Sequence, residues 1–146
     1  MRPIGMTFRI ATAVLADIPA MHVIRLAVRE NRLSDPARIT EQSYVRYVEA
    51  GSAWVVVTSG RGILGFAAAD QNDASVWALF VHPDAERIGV GTALLDKLLE
   101  WARRRGLTGL WLTTAPGTRA EQFYLNAGWS RVGVSPGGEV RLARRL

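Results

Sequence analysis

Residues 75–92, SVWALFVHPDAERIGVGT, place groups able to bind an anion at the start of a helix. An apolar run passes through His82-Pro83 into a turn. A helical pattern then opens at Arg87-Ile88-Gly89-Val90-Gly91-Thr92. Backbone N–H groups at a helix start have no partner within the helix, and the helix dipole there favours negative charge. Glycines at 89 and 91 let a phosphate approach without meeting a Cβ, and Arg87 and the Thr92 hydroxyl add donors. The same residues also read as an ordinary helix start whose glycines fit a tight turn. Two common nucleotide motifs do not fit. A P-loop needs Gly-Lys-Ser/Thr, and the one lysine of the chain, Lys97, lies beyond this loop. A dinucleotide fingerprint needs a third small residue, but Leu94 stands there. It also needs an acidic ribose ligand about 20 residues on, where the chain reads LWLTT.

Other chemistry is limited by residue type. The chain has no cysteine, which excludes disulfides, thiolate nucleophiles and Cys-based zinc sites. His22 and His82 are the two histidines, too few for a multi-histidine metal centre, so no metal is expected. A length of 146 residues predicts a single domain, 1–146. Hydrophobic residues at 49% and charged residues at 21% predict a soluble globular protein. The net charge of +5 comes almost wholly from arginine and implies a surface that tolerates anions. No apolar run approaches the roughly 20 residues that span a bilayer. MRPIGMTFRIAT lacks the apolar core of a secretory signal, so a cytoplasmic location with no membrane partner is the expectation.

The elements that must position the glycine turn can be read from periodicity. Residues 7–11 read as a first strand. Asp17 stands where an N-cap would, with Pro19 tolerated in the first turn of a helix over 18–30. Thr40 opens a second helix that ends at Gly51. The runs 53–59, 63–70 and 75–81 predict an antiparallel meander. Residues 89–105 form the clearest helix. Val90, Leu94, Leu95, Leu98, Leu99, Trp101 and Ala102 occupy one half of its wheel, opposite Thr92, Asp96, Glu100, Arg103 and Arg104. A strand over 107–114 follows. The helical crossover makes it a parallel neighbour of 75–81. Thr118-Arg119-Ala120-Glu121 is a capping box for a short helix ending near Gly128, and 129–134 with 139–142 form a last hairpin. The fold class is α/β (α+β), a mixed, mostly antiparallel sheet with one central parallel pair, flanked by helices.

With these motifs in place, the chain resembles a GNAT-superfamily N-acetyltransferase. That family's signature is a strand ending V-x-P, then [Q/R]-x-x-G-x-[G/A] opening a helix. Here Val81-His82-Pro83 is followed by Glu86-Arg87-Ile88-Gly89-Val90-Gly91. A second block, A-x-x-F-Y-x-x-x-G-[F/W], is present from Ala120 through Phe123-Tyr124 to Gly128-Trp129. The element order matches over nearly the whole chain. Glu86 departs from the usual Gln or Arg. A carboxylate beside a pyrophosphate is repulsive, so Glu86 is expected to point away or cap the turn, with Arg87 compensating.

The resemblance implies acetyl-CoA as cosubstrate, bound in a V-shaped gap between the strands 75–81 and 107–114. It implies a pantetheine arm on the backbone near Phe80 and Val81, and a pyrophosphate on the turn Arg87, Ile88, Gly89, Val90, Gly91 and Thr92. Tyr124 matches the position that protonates the departing thiolate, a role a neutral phenol can fill at pH 7. An amphipathic core tyrosine is the competing reading. Glu30 is the leading candidate base, because it ends the first helix beside the loop where this family builds its acceptor pocket. Asp70 and His82 are weaker ones, His82 reading better as a turn histidine. The implied reaction is direct transfer of acetyl to a primary amine, of a small molecule or a peptide. The alternative is a non-catalytic acyl-CoA-binding module or sensor. The acceptor stays open, and a homodimer is a common outcome for such small domains. Trp101 reads as core. Trp54, Trp77, Trp111 and Trp129 do not single out a pocket. ARRRG (102–106) reads as a solvated helix end, and no continuous basic face points to nucleic acid.

Overall fold

A computed structural model describes residues 7–28, 39–59 and 62–146. Among them, strands β1 (Phe8–Thr12), β2 (Ala53–Thr58), β3 (Gly62–Asp70), β4 (Ser75–Val81), β5 (Gly109–Thr114), β6 (Ser130–Val134) and β7 (Val140–Arg145) form one sheet. Its order is β1-β2-β3-β4-β5-β7-β6. Every adjacent pair is antiparallel except β4 with β5. Helices α1 (Ile18–Ala27), α2 (Val45–Glu49), α3 (Val90–Arg104) and α4 (Arg119–Asn126) cover it. The meander, the parallel pair and the final hairpin are as the sequence predicts.

Two apolar layers form, one on each sheet face. α3 buries Val90, Leu94, Leu95, Leu98, Leu99, Trp101 and Ala102, the same seven residues its periodicity selects. They pack with Trp54, Leu64, Leu110, Leu142 and Tyr124. Each leucine so buried stabilises the fold by about 1.5–3 kcal/mol. Glu100 and Arg104 pair at 3.5 Å on the solvent side. On the opposite face, α1 supplies Ile18, Met21 and Ile24, and the segment before and within α2 supplies Tyr44 and Tyr47. These close over Val55, Phe66, Ala68, Ala78 and Phe80. No helix among the described residues is long and apolar enough to cross a membrane.

Local chemistry corrects two expectations at helix starts. Asp17 does stand at the N-cap position of α1, but its carboxylate makes no cap bond to the helix. A short 3-10 turn, Leu15–Asp17, precedes the helix, and the Asp17 carboxylate accepts from the Val14 N–H at 2.9 Å. Pro19 does sit in the first turn. In α4, the Thr118 hydroxyl accepts from the Glu121 N–H at 3.2 Å, as a capping box requires. The Glu121 carboxylate, however, reaches one residue further back and accepts from the Gly117 N–H at 2.9 Å.

β4 carries an irregularity that matters for the site. Ala68 pairs with Ala78 but Ala69 pairs with Val76, so Trp77 is an extra residue. Such a bulge turns two neighbouring side chains to one face and bends the strand. Trp77 and Ala78 both pack on the α1 side, whereas Val76 and Leu79 pack on the α3 side.

Candidate active site

β4 and β5 touch at one register position, Ser75 with Trp111. The Trp111 N–H also donates to the Ala74 carbonyl at 3.0 Å. Beyond it the strands part, and the β5-facing edge of β4 from Val76 to Val81 has no strand partner among the described residues. Unladdered backbone N–H and C=O groups along such an edge are free to pair with an extended ligand. The gap opens into a cleft of about 730 Å³ between the end of β4, the start of α3, the end of β5 and α4. Ala27 and Val28, at the end of α1, border it as well.

The floor of the cleft is the turn into α3. Arg87 and Gly89 both adopt left-handed backbone, φ +67° and +92°. For Gly89 this conformation costs little; for Arg87 it is strained. The first bond of α3 runs from the Ala93 N–H to the Gly89 carbonyl at 3.0 Å. The N–H groups of Val90, Gly91 and Thr92 therefore stand unpaired among the described residues, at the positive end of a helix of 15 residues. A Cβ on Gly91 would touch the Phe123 ring at 3.5 Å and Val81 at 3.6 Å, so its absence keeps the floor open.

Phe80, Val81, Arg87, Gly89, Val90, Gly91, Thr92 and Tyr124, all selected from the sequence, line this one cleft. Ile88 does not; its side chain packs against the core under the turn. Glu30 lies outside the described residues, and the helix expected over 18–30 ends at Ala27, where Val28 turns to extended backbone, so Glu30 does not end it. Asp70 is at the other end of the sheet, paired with Ser75 at the start of β4, roughly 17 Å from Phe80 at about 3.3 Å per residue. It forms an ion pair with Arg46 at 2.7 Å. His82 caps the turn after β4, its Nδ1 accepting from the Asp84 N–H at 3.0 Å. Arg103, Arg104 and Arg105 are exposed at the end of α3.

Glu86 borders the cleft, and its carboxylate is held by the Arg119 guanidinium at 2.8 Å. Arg119, and not Arg87 as expected, thus compensates the Glu86 charge. The two residues lie 33 positions apart, and no local pattern joins them. Tyr124 is 6% exposed, its ring edge-on to Phe123 and Trp129. Burial pushes its phenol above the usual tyrosine range, so it keeps its proton at neutral pH. A stable O–H donor in a cleft with an anion-binding floor can protonate a leaving group.

Comparison with known proteins gives the architecture a lineage. A GCN5-related N-acetyltransferase structure from Rhodopseudomonas palustris superposes with a TM-score of 0.79 over all of both chains, at 19% identity. The PaiA N-acetyltransferase of Thermoplasma acidophilum, solved in complex with coenzyme A, superposes with a TM-score of 0.79. That match covers 97% of this chain and all of the other, at 13% identity. In sequence, the chain is 33% identical over 75 residues to an uncharacterized N-acetyltransferase of Methanocaldococcus jannaschii. The match takes in half of this chain and about a third (32%) of that relative. The model of the acetyltransferase (GNAT) family matches residues 15–129. The chain belongs to the GNAT acetyltransferase family.

Proposed function

We propose that this chain is an N-acetyltransferase that moves the acetyl group of acetyl-CoA directly to a primary amine. The observation that carries the reading is the splayed β4–β5 gap floored by the unpaired N–H groups of Val90, Gly91 and Thr92. The unpaired edge of β4 near Phe80 and Val81 suits the amides of a pantetheine arm, which would add to the sheet as a short strand. The turn Arg87–Thr92 suits a pyrophosphate, through the helix amides and the Arg87 charge. Acetyl-CoA supplies the activated thioester. Tyr124 delivers a proton to the sulfur as the C–S bond breaks, and Glu30 takes the proton that the attacking amine loses. Family membership and the coenzyme A seen in the Thermoplasma acidophilum structure support the choice of cosubstrate.

A second reading is a non-catalytic acyl-CoA-binding module. It draws on one feature: among the described cleft residues Glu86 is the sole carboxylate, and it is tied to Arg119. Turnover of any amine separates the two.

Thr92→Glu tests the cofactor floor without endangering the fold. Thr92 is exposed and third in α3, where a glutamate complements the dipole. The variant should melt no lower than the parent, yet bind acetyl-CoA at least tenfold more weakly by calorimetry. Unchanged affinity would mean that the phosphates do not sit on this turn.

A further inference from the structure

Arg25 is a buried cation with no counter-charge among the described residues. It lies on α1, one turn before Val28, and is 8% exposed. Its guanidinium rests over the Trp77 ring at 4.5 Å and the Phe80 ring at 4.9 Å. Nε and Nη1 are closed off from solvent and have no hydrogen-bond partner among the described residues. No carboxylate among them pairs with it. The neighbouring oxygen is the Tyr44 phenol, which is itself within 2.8 Å of His22 Nδ1. Burial lowers the Arg25 pKa and the Tyr44 oxygen works against that.

Aromatic faces attract a cation from above and below but leave the in-plane N–H donors unmet. Charges this deep are ordinarily paired, and a planar fork of donors matches a carboxylate with two parallel bonds. The position of Arg25 says where such a group would lie. Phe80, beneath the guanidinium, lines the cofactor cleft, and so do Ala27 and Val28 at the end of the same helix. The bulge in β4 turns Trp77 toward this side. We infer that Arg25 anchors a carboxylate on the acceptor, so that the substrate is an amine of amino-acid type, not a polyamine. Resting on the acetyl-transfer reading above, this names its substrate class. To reach the ligand the guanidinium would turn off its aromatic shelf and away from the Tyr44 phenol, with which it shares a hydrogen bond, but no ion pair among the described residues holds it back.

The test is a paired panel on the full chain saturated with coenzyme A. Calorimetry compares N-acetyl amino acids with their carboxamides. With acetyl-CoA, turnover compares free amino acids with their amides, and short peptides beginning with Asp with those beginning with Asn. A carboxylate should improve binding and kcat/KM about tenfold or more, through KM rather than kcat. The free amino-acid arm distinguishes a main-chain carboxylate from the acidic side chain of a peptide. Arg25→Met should erase the preference while melting no lower than the parent, because replacing an unpaired buried ion by an apolar chain is seldom destabilising. Arg25→Lys keeps the charge, restores part of the preference, and carries the test if the methionine variant fails to fold. Coenzyme A binding with no carboxylate preference, or a preference that survives in Arg25→Met, overturns the inference alone. No coenzyme A binding removes the reading beneath it, and the inference with it.

Discussion

Tyr124 illustrates how one side chain serves packing and chemistry together. Its ring fills the layer between α4 and the sheet, against Phe123 and Trp129. The same burial that makes it a core residue raises its phenol pKa and keeps the proton in place. Tyr124→Phe retains the ring and loses only the hydroxyl. It should bind acetyl-CoA within about threefold of the parent while kcat falls about 10²-fold or more. Retained turnover would assign Tyr124 to packing alone. The proposed base gives the companion measurement: Glu30→Gln should abolish the acidic limb of the pH–rate profile, and an unchanged limb would move that role elsewhere. Because the Tyr124 pKa is raised, the parent should show no alkaline loss from this group below about pH 10.

At the scale of elements, the parting of β4 from β5 makes the site, and Gly65 fixes how closely α3 approaches it. A Cβ on Gly65 would lie 2.9 Å from the Phe80 carbonyl oxygen and 2.9 Å from Val90 Cγ1. The oxygen is backbone and cannot rotate away, so Gly65→Ala must push β4 or α3 aside. Overpacking of this kind costs about 1–3 kcal/mol, or roughly 3–10 °C in Tm for a chain of this size. Acetyl-CoA affinity should fall with it, since Phe80 and Val90 both line the cleft. An unchanged Tm would show that the contact is looser than described. This contact also marks where sequence reading stops. The buried face of α3 was legible because amphipathic spacing is a local property. The glycine turn was legible because Gly89 and Gly91 stand at fixed offsets from a strand end. Neither the bulge at Trp77 nor the approach at Gly65 leaves a local trace. Each depends on which residues of a neighbouring strand lie opposite. The Glu86–Arg119 pair is hidden for the same reason: the unusual glutamate at 86 suggested a side chain turned away or capping the turn, with Arg87 compensating, and nothing local pointed to Arg119.

For the whole molecule, the titratable groups that the fold perturbs predict stability against pH. Glu121 joins α4 to β6: its carboxylate accepts from Arg131 Nε at 2.9 Å and from the Gly117 N–H at 2.9 Å. These bonds hold its pKa below the ordinary glutamate value, the Arg131 bond most of all. The unfolded chain therefore takes up that proton first as pH falls. Stability from Glu121 is complete above the ordinary glutamate range and is lost below it. Burial raises the phenols of Tyr44, Tyr47 and Tyr124. The unfolded chain loses those protons first as pH rises, so their contribution is complete below about pH 10 and declines above it. A net charge of +5, growing as carboxylates protonate, adds self-repulsion on the acid side. Denaturant midpoints should thus stay nearly level from about pH 5 to about pH 10 and drop on both sides. Glu121→Gln should be less stable at pH 7 and lose less further stability between pH 5 and pH 3 than the parent. If the two chains lose stability in parallel over that interval, the acid limb belongs to general charge repulsion and not to the tie between α4 and β6.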